Sequence, residues 1–393
     1  MALCVVQGER AMLLTLVSAT CLAAAFLGCV YLLTSAILVR RFAAQEARPV
    51  SRPVAVSILK PLHGVQPKLL QLLESFCRQD SPAPFEIACG ARSASDPAAA
   101  AVERLSAAAP ACRIRFFAGS RSYGSNGKVS NLIDLAQQAR HDVLVISDGD
   151  IEVGPDYLSK VVGALEQPNV GAVSCLYHGV GEDRIWSQLS ALAINTQFLP
   201  SVVFALSYRL ARPCFGSTIA LRRRTLEAIG GFESFADLLA DDYAIGAAVR
   251  EQGLEVAIPP FTVVHHCNEA SLRELLLHEV RWARTVRIIE PMGYAASFVA
   301  HPLPLALFGI LSDPSLGLML AVAALASRMI LCRSVEQGFK VQRQPYWLIP
   351  MRDLLSFGVF IWACFGATVH WKGNAYQVNA DGTLVSDRSA SET

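Results

Sequence analysis

An uncharged N-terminal stretch constrains the fold of this chain more than any other feature of its sequence. Residues 11–39 are 29 consecutive positions without Asp, Glu, Lys or Arg, and about 20 apolar residues are enough to cross a bilayer as a helix. A cleaved signal peptide has a shorter apolar core and a cleavage site after it. Here four arginines follow between positions 40 and 52, as is typical of the cytoplasmic flank of a span. The sequence therefore predicts a transmembrane anchor with a basic flank over residues 1–50.

The overall composition narrows the class of protein. Of the 393 residues, 53% are hydrophobic and 17% are charged, which is too apolar for a purely soluble protein. The net charge of +1 provides no basic excess for binding a polyanion, so we expect no nucleic-acid partner. The 11 cysteines show neither a CxxC pair nor metal-ligand spacing. We interpret them as reduced thiols, without a disulfide framework or a zinc site.

The C-terminal part contains further stretches with few or no charges. They are residues 291–312, 315–332 and 354–370. Pro302 and Pro304 predict that the first of them is bent or re-entrant, and basic residues between the second and third are typical of a cytoplasmic loop. We therefore expect about three membrane helices within residues 291–371. Residues 372–393 form a polar tail, which we expect to be disordered from Asp381 onward.

The middle of the chain, residues 51–290, has the composition of a soluble domain and alternates between two patterns. Short runs with strand character lie at residues 54–59, 85–91, 113–119 and 142–147. Helical patterns lie near residues 67–79, 97–109, 128–140 and 155–166. Alternating strands and helices are typical of an α/β fold in which helices cover both faces of a mostly parallel sheet. The sequence therefore predicts a Rossmann-like α/β domain.

Two acids follow one of the predicted strands directly. In VISDGDIEVGPDYL, Asp148 and Asp150 come just after the apolar run VLVI. Ligands of open α/β sheets bind at the carboxyl ends of the strands. Carboxylates at positions i and i+2 can share one divalent cation, and hard oxygen ligands favour Mn²⁺ or Mg²⁺, which in turn bind diphosphates. The alternative is a solvated Asp-Gly turn.

Other polar residues follow a strand or open a helix. Asp96 lies just past the second predicted strand, where a nucleotide base or ribose can be contacted. In GSNGKVSNL, Lys128 and Asn131 lie where a glycine-rich turn opens a helix, which predicts either an anion site or a simple helix cap. In LADDYAIGAAVREQG, Asp241 and Asp242 open a further helix, where acids also complement the helix dipole.

Two more stretches indicate contacts with phosphate or with a membrane. HEVRWARTVR, residues 278–287, places Arg281 beside Trp282 in a row of arginines at helical spacing. Such arginines bind phosphate in a bidentate way or bind lipid headgroups. ALAINTQFLPSVVFALSY, residues 191–208, is an uncharged stretch inside the soluble middle. It predicts either an interfacial helix that borders a lipid entrance or an ordinary core helix.

Taken in this order, the acids and the Arg-Trp pair resemble the ceramide glucosyltransferase family and its bacterial relatives, some of which glycosylate hopanoid lipids. The resemblance covers residues 54–376, including the single N-terminal anchor and the C-terminal membrane cluster. It implies a GT-A-type catalytic domain over residues 51–290. It also implies an enzyme that transfers a hexose from a UDP-sugar to a membrane lipid.

The resemblance assigns roles to the acids by their position. Asp96 matches the first aspartate of the family, which lies near the nucleotide. Asp148 matches the second, which holds the metal and the diphosphate, and Asp150 completes the metal pair. Asp242 matches the third, the catalytic base, and Asp241 lies beside it in the same binding site.

The HEVRW segment resembles the Q/R-x-x-R-W motif of the family. Arg281 and Trp282 match its end, whereas His278 stands where the family has Gln or Arg. A histidine at that position would make diphosphate binding sensitive to pH. The binding residues that match other segments of the family are Lys128, Asn131, Gly216 and Ser217.

These residues supply what an inverting glycosyl transfer needs. Asp242 would act as the base toward the attacking hydroxyl, and Mn²⁺ or Mg²⁺ on Asp148 and Asp150 would act as the Lewis acid for the leaving diphosphate. Arg281 would neutralise the negative charge that remains on the leaving diphosphate as the bond between sugar and phosphate breaks. We expect UDP-N-acetylglucosamine or UDP-glucose as donor and a hopanoid or ceramide as acceptor. The Ala- and Arg-rich composition indicates a bacterial inner membrane, with the catalytic domain in the cytoplasm.

Other classes of protein share parts of this pattern. A processive polysaccharide synthase uses a similar set of acids and an Arg-Trp pair, but it normally has more spanning helices to form a channel. A metal-dependent nucleotidyltransferase or phosphoesterase also uses an Asp-Gly-Asp turn, but neither explains ADDY followed by VRW near a membrane segment. A scaffold with a degenerate α/β domain is the non-catalytic alternative, and the acids at every expected position argue against it.

Overall fold

The computed structural model describes residues 2–48, 50–64, 66–119, 121–182, 184–366, 368–371, 374–378 and 383–386. The chain folds into two compact units. The helical unit comprises Met1–Ala44, Asp183–Ala211 and Glu269–Gly366. The α/β unit comprises Gln45–Glu182, Arg212–Asn268 and Ala367–Thr393. The uncharged stretch that interrupts the soluble middle of the sequence thus belongs to the helical unit.

The α-helices follow one another in chain order. They are α1 (Ala2–Ala43), α2 (Leu69–Cys77), α3 (Ala98–Ala108), α4 (Gly127–Gln138), α5 (Tyr157–Leu165), α6 (Ile185–Ala193), α7 (Leu199–Ser207), α8 (Arg223–Ala228), α9 (Asp241–Glu251), α10 (Leu272–Ile289), α11 (Pro291–Ala296), α12 (Pro302–Gly309), α13 (Pro314–Phe339) and α14 (Ile349–Ala363). A π-helical segment, Ile194–Phe198, joins α6 to α7.

The strands are β1 (Val56–Pro61), β2 (Phe85–Ala91), β3 (Ile114–Ala118), β4 (Val143–Ile146), β5 (Ile151–Glu152), β6 (Val170–Ser174), β7 (Leu176–Gly181), β8 (Ile219–Arg222), β9 (Glu255–Ala257), β10 (Thr262–Cys267), β11 (Thr368–Trp371), β12 (Asn374–Val378) and β13 (Leu384–Ser386). The first four lie within two residues of the strands that the sequence predicts, and α2 to α5 coincide with the predicted helices to the same precision.

Seven of these strands form the main sheet of the α/β unit, in the order β3-β2-β1-β4-β8-β6-β9. Its pairs are parallel except where β8 runs antiparallel between β4 and β6. Val143 and Val145 of β4 pack into one hydrophobic core, and Leu144 and Ile146 pack into the other. Burial on both faces explains why VLVI is continuously apolar. The prediction of a mostly parallel α/β sheet is confirmed.

Two smaller sheets complete this unit among the described residues. In the order β5-β10-β7, the strand β10 lies antiparallel to β5, with His265 opposite Ile151. In the order β11-β12-β13, the last strand attaches to the unit where the Leu384 N–H donates to the Asp237 carbonyl at 2.8 Å. The expectation of disorder from Asp381 onward is therefore wrong for Leu384–Ser386, because this strand has backbone partners. Residues 387–393 lie outside the described residues.

The helical unit is built around α1, which shares an apolar core with α12 and α13. Among the described residues, three helical segments are long and apolar enough to cross a membrane: Leu14–Ala43, Ile185–Ser207 and Pro314–Phe339. The three C-terminal membrane spans expected from the sequence agree only in part with the helices of the structure. Residues 315–332 lie within α13, whereas the 291–312 stretch is divided between α11 and α12 by its prolines. The third expected span corresponds to α14, which has 15 residues and is short for a bilayer.

One cysteine pair corrects the prediction from the sequence. Cys77 at the end of α2 and Cys112 before β3 form a disulfide, with their Cα atoms 5.4 Å apart. They are separated by 35 residues and carry no spacing motif, so the pairing arises only because the end of α2 packs beside the start of β3. The other cysteines whose side chains are described are free thiols, mostly buried.

Candidate active site

The turn that follows β4, residues 148–150, presents the two predicted metal-binding acids and is called the metal turn below. The side chains of Asp148 and Asp150 are 35% and 38% exposed, although the strand before them is fully buried. Between them, Gly149 lies beneath the side chain of Gln66, and a Cβ atom added there would come 2.4 Å from Gln66 Oε1. A side chain at this position would displace that of Gln66, and with glycine both carboxylates remain accessible at the carboxyl end of β4.

The helix α4 brings a lysine to these acids. Asn126 caps the helix, because its Oδ1 accepts from the N–H groups of Lys128 and Val129 at 3.0 and 3.2 Å. Lys128 Nζ then lies 2.9 Å from Asp148 Oδ1 and 3.3 Å from Asp241 Oδ2. Burial opposes the charge of Lys128, but the three acids Asp148, Asp241 and Asp242 together raise its pKa above the ordinary value. Lys128 is therefore a cation that joins the metal turn to the start of α9.

Asp242, the predicted base, is held by backbone groups. Its Oδ2 accepts from the Gly216 N–H at 2.9 Å, and its Oδ1 accepts from the Tyr243 N–H at 2.8 Å. Burial, together with the charge of Asp241, raises the pKa of Asp242 to about 6, although Lys128 opposes this shift. A carboxylate with a pKa in this range is ionised at neutral pH and is more basic than an ordinary aspartate, which suits proton abstraction from a hydroxyl.

Gly216 lies where the metal turn, Lys128 and Asp242 meet. A Cβ atom at this position would come 2.7 Å from Lys128 Nζ and 2.8 Å from Asp148 Oδ2. At such distances neighbouring atoms have to shift, so the absence of a side chain allows these charged groups to approach one another.

We expect Gly216→Ala to lower kcat/KM for sugar transfer by roughly tenfold or more, because it displaces Lys128 and Asp148 within the site. Gly358→Ala is the matched control, since a Cβ atom at Gly358 meets nothing within 4 Å. Steady-state kinetics of the purified full chain check this, with the thermal midpoint of each variant measured alongside. Equal kcat/KM in wild type and Gly216→Ala would contradict the close packing described here.

Three other predicted binding residues contact the protein backbone. Both carboxylate oxygens of Asp96 accept from the Gly64 N–H, at 3.1 and 3.0 Å, and Oδ1 also accepts from the Ala98 N–H at 2.9 Å. Asn131 Nδ2 donates to the Leu62 carbonyl at 3.5 Å. The Ser217 hydroxyl is buried and donates to the Cys175 carbonyl. In this structure these side chains order the loops around the strand ends.

The donor set after β4 fits a hard divalent cation. Asp150 Oδ1 is buried without a hydrogen-bond partner and lies 3.7 Å from His265 Nδ1. Within the described part of the chain, no group of three or more His, Cys, Asp or Glu residues is arranged to hold a metal. One or two carboxylates completed by substrate phosphates and water are the usual ligands of Mg²⁺. Asp148 and Asp150 are therefore a donor set that fits Mn²⁺ or Mg²⁺ bound together with a diphosphate.

The sequence patterns did not reveal two residues of this site. Lys60 of β1 is fully buried; its Nζ donates to the Asp148 carbonyl and lies 4.1 Å from the centre of the Phe76 ring. Burial lowers the pKa of Lys60 to about 8, against the opposing charge of Asp150. Asn126 is the second, since its Nδ2 also lies 3.3 Å from Asp241 Oδ1. A lysine inside the apolar run of β1 was a visible signal, whereas only packing reveals Asn126.

The HEVRW residues lie on α10 of the helical unit, and therefore not in the unit that holds the acids. His278 Nδ1 lies 2.8 Å from Glu269 Oε1, and its ring centre lies 4.1 Å from that of Trp282. Arg281 is one turn of the helix beyond His278. Its role in donor binding, with that of Trp282, stays a prediction of the sequence.

Comparison with known proteins identifies the family. Residues 20–384 match the model of glycosyl transferase family 21. The chain belongs to glycosyl transferase family 21. The family 21 chain is 22% identical to ceramide glucosyltransferase 1 of Caenorhabditis elegans over 355 residues, which is 85% of this chain and 74% of the relative. It is 26% identical to the ceramide glucosyltransferase of Komagataella phaffii over 307 residues, or 63% of this chain and 60% of the relative. The protein is thus a ceramide glucosyltransferase-like glycosyltransferase, and the predicted enzyme class is confirmed.

A solved structure shows the same fold. The mannosyltransferase PcManGT of Pyrobaculum calidifontis, determined with GDP-Man and Mn²⁺, superimposes with a TM-score of 0.52 at 19% identity. The match covers 90% of the family 21 chain and 99% of the mannosyltransferase. The α/β unit therefore has a GT-A-like fold, as predicted.

Proposed function

We propose that this family 21 enzyme transfers a hexose, N-acetylglucosamine or glucose, from a UDP-sugar to the hydroxyl of a membrane lipid with inversion at the anomeric carbon. The observation that supports this most is the bridge made by Lys128 between Asp148 and Asp241. It joins a carboxylate suited to a metal-bound diphosphate to the helix end that carries the candidate base. A transferase needs both functions within the length of one sugar, whereas a phosphoesterase needs no base for an acceptor alcohol.

In this mechanism each group of the chain has one task. Asp148 and Asp150 would hold Mn²⁺ or Mg²⁺, which neutralises charge on the leaving diphosphate when it is bound. Asp242 takes the proton of the attacking hydroxyl through the carboxylate oxygens that Gly216 and Tyr243 orient. Lys128 remains protonated throughout and stabilises the negative charge of the three surrounding acids.

The acceptor is proposed to be a lipid that carries a hydroxyl group, a hopanoid or a ceramide. The long apolar helices of the helical unit support a membrane-bound enzyme, and the curated relatives are named for ceramide. The Ala- and Arg-rich sequence favours a bacterial host, and hence a hopanoid glycosylated in the inner membrane from the cytoplasmic face. The resemblance further assigns Arg281 and Trp282 to the donor diphosphate.

Mass spectrometry of lipids tests this proposal directly. Cells with the intact gene should contain a glycolipid that is missing from deletion cells and returns with the wild-type gene but not with Asp242→Asn. The mass of that lipid distinguishes a hexose from an N-acetylhexosamine and a hopanoid from a ceramide acceptor. Purified protein incubated with UDP-sugars separates the other enzyme classes: a polymer would indicate a processive synthase, and release of UDP or phosphate without a glycolipid product would contradict lipid glycosylation.

We expect the acid limb of the rate profile to fall near pH 6. Burial raises the pKa of Asp242 from 3.8 to about 6, and only its ionised form accepts a proton, so activity is lost as the pH falls through this value. At pH 7 about nine-tenths of Asp242 is ionised, given a pKa near 6. Measuring kcat/KM from about pH 4.5 to about pH 8 at saturating Mn²⁺ checks this prediction. A profile that stays flat down to pH 4.5 would contradict a base with this environment.

A further inference from the structure

A buried ion pair anchors the helix that carries the HEVRW segment. Glu279, the second residue of that segment, receives two hydrogen bonds from Arg352 of α14, at 2.6 and 2.8 Å. The remaining donors of Arg352 are used as well: Nε bonds Ser356 Oγ at 2.8 Å, and Nη1 also lies 3.3 Å from the Leu189 carbonyl. The side chains of Arg352 and Glu279 are 1% and 9% exposed. This guanidinium therefore connects α6, α10 and α14 in one fixed geometry.

The preceding residue of α10 is held independently. His278 Nδ1 lies 2.8 Å from Glu269 Oε1, and the Ser190 hydroxyl of α6 donates to the same oxygen at 3.0 Å. Two consecutive side chains of α10 are thus each bound by a partner outside the helix. Such contacts leave α10 little freedom to rotate about its axis.

The orientation of the helix decides where the next residues of the segment point. Successive residues turn by about 100° around an α-helix, so Arg281 projects from the side of α10 roughly opposite to Glu279. Trp282 lies about one turn beyond His278 and contacts its ring. Arg281 itself lies about one turn beyond His278, on nearly the same face of α10, so holding Glu279 on one side and His278 near the other fixes the direction of Arg281.

Stability alone does not account for this pair. Burying two charges costs solvation free energy, and well-packed apolar residues in place of a buried ion pair are often as stable or more stable. What a bidentate Arg–Glu pair adds is a single geometry, since the two planar groups match in only one arrangement.

We propose that Arg352, acting through Glu279, is a positioning residue that orients Arg281 and Trp282 of α10 for binding the diphosphate of the nucleotide-sugar donor. The inference rests on the proposed function, in which those two residues contact the donor. Arg352 touches no substrate in this scheme and acts only by holding the helix.

The helical unit contains a second buried pair that serves as a matched control. Arg328 of α13 lies 3.0 Å from Asp353, and both side chains are 1% exposed. Its other donors bond the carbonyls of Thr196 and Ala300 at 2.8 and 2.7 Å, which belong to the π-helical segment and to the turn before α12. Disrupting this pair perturbs the same unit without removing an anchor of α10.

The test compares Arg352→Lys, Glu279→Gln and Arg328→Lys in the purified full chain. We measure the affinity for UDP in the presence of Mn²⁺ by calorimetry, the KM for the donor, kcat and the thermal midpoint. Arg352→Lys and Glu279→Gln are each expected to weaken UDP binding and raise the donor KM by roughly tenfold or more, a typical cost of misplacing a binding group. Arg328→Lys is expected to lower the thermal midpoint with UDP affinity unchanged. The exchange Glu279→Arg with Arg352→Glu should recover part of the lost affinity.

Two results would overturn the proposal. One is unchanged UDP affinity in both Arg352→Lys and Glu279→Gln, even if their thermal midpoints fall as much as that of Arg328→Lys. The other is an equal loss of UDP affinity in all three variants, which would indicate a general effect on stability. If Arg352→Lys does not fold, the UDP affinity of the isosteric Glu279→Gln is compared with that of Arg328→Lys instead. Failure of the wild type itself to bind UDP or transfer sugar would contradict the proposed function, so the two failures are distinguishable.

Discussion

Replacing Asp242 by Asn is expected to reduce sugar transfer by roughly 100- to 10,000-fold, the usual contribution of a general base, while the affinity for the UDP-sugar survives. Asn keeps the size of the side chain and can still accept from the Gly216 or Tyr243 N–H, but it cannot take a proton from the acceptor hydroxyl. Single-turnover rates with a lipid acceptor, together with calorimetric donor affinity, measure the two effects separately.

Asp156→Asn provides the control for this substitution. Asp156 belongs to the same unit, is 58% exposed and pairs with Lys160 on the surface, so its loss should leave transfer unchanged. If Asp242→Asn abolished donor binding together with transfer, Asp242 would be a ligand of the donor and the base would have to be found elsewhere. If transfer remained near the wild-type rate, the proposed mechanism would fail.

Removing divalent metal is expected to have an effect of similar size. EDTA should stop transfer, and Mn²⁺ or Mg²⁺ should restore it. Without the cation, the carboxylates of Asp148 and Asp150 would face a negatively charged diphosphate with no divalent charge to compensate it. Asp150→Asn should weaken Mn²⁺ binding, measured by electron paramagnetic resonance with UDP present. We expect a loss of roughly tenfold or more, since one of two charged ligands is removed.

Asp150 is the more informative ligand to change. Its Oδ1 has no hydrogen-bond partner among the described residues, whereas Asp148→Asn would also break the ion pair with Lys128. Asp156→Asn again serves as the control, with no expected change in Mn²⁺ affinity. Full activity in EDTA, or unchanged Mn²⁺ binding by Asp150→Asn, would remove the metal role from this turn.

Much of the fold could be predicted because its signals are local. The run VLVI packs on both faces of β4, and a short, continuously apolar run between turn residues is typical of a central strand. Asp148 and Asp150 were recognisable for the same reason, since the end of such a strand is the usual place for a ligand. The 29 uncharged residues of the N-terminal stretch likewise indicated α1.

Contacts between distant segments could not be predicted in this way. Glu279 and Arg352 are 73 residues apart, and no sequence pattern predicts that they pair. Three other features could not be predicted for the same reason: the disulfide between Cys77 and Cys112, the strand Leu384–Ser386, and the membership of residues 185–207 in the helical unit. Each depends on which surfaces meet after folding.

The sequence by itself determined the α/β class, the apolar helices and the acids of the candidate site, because periodicity, length and the residue after a strand are properties of neighbouring positions. Only the tertiary structure decided that Lys128 bridges Asp148 and Asp241, that Lys60 lies beneath the metal turn, and that Arg352 holds α10. In each of these contacts a buried cationic side chain finds an anionic or carbonyl partner, and the cost of leaving a buried charge without a partner favours the arrangement. That cost depends on distance in space, which the order of residues along the chain does not reveal.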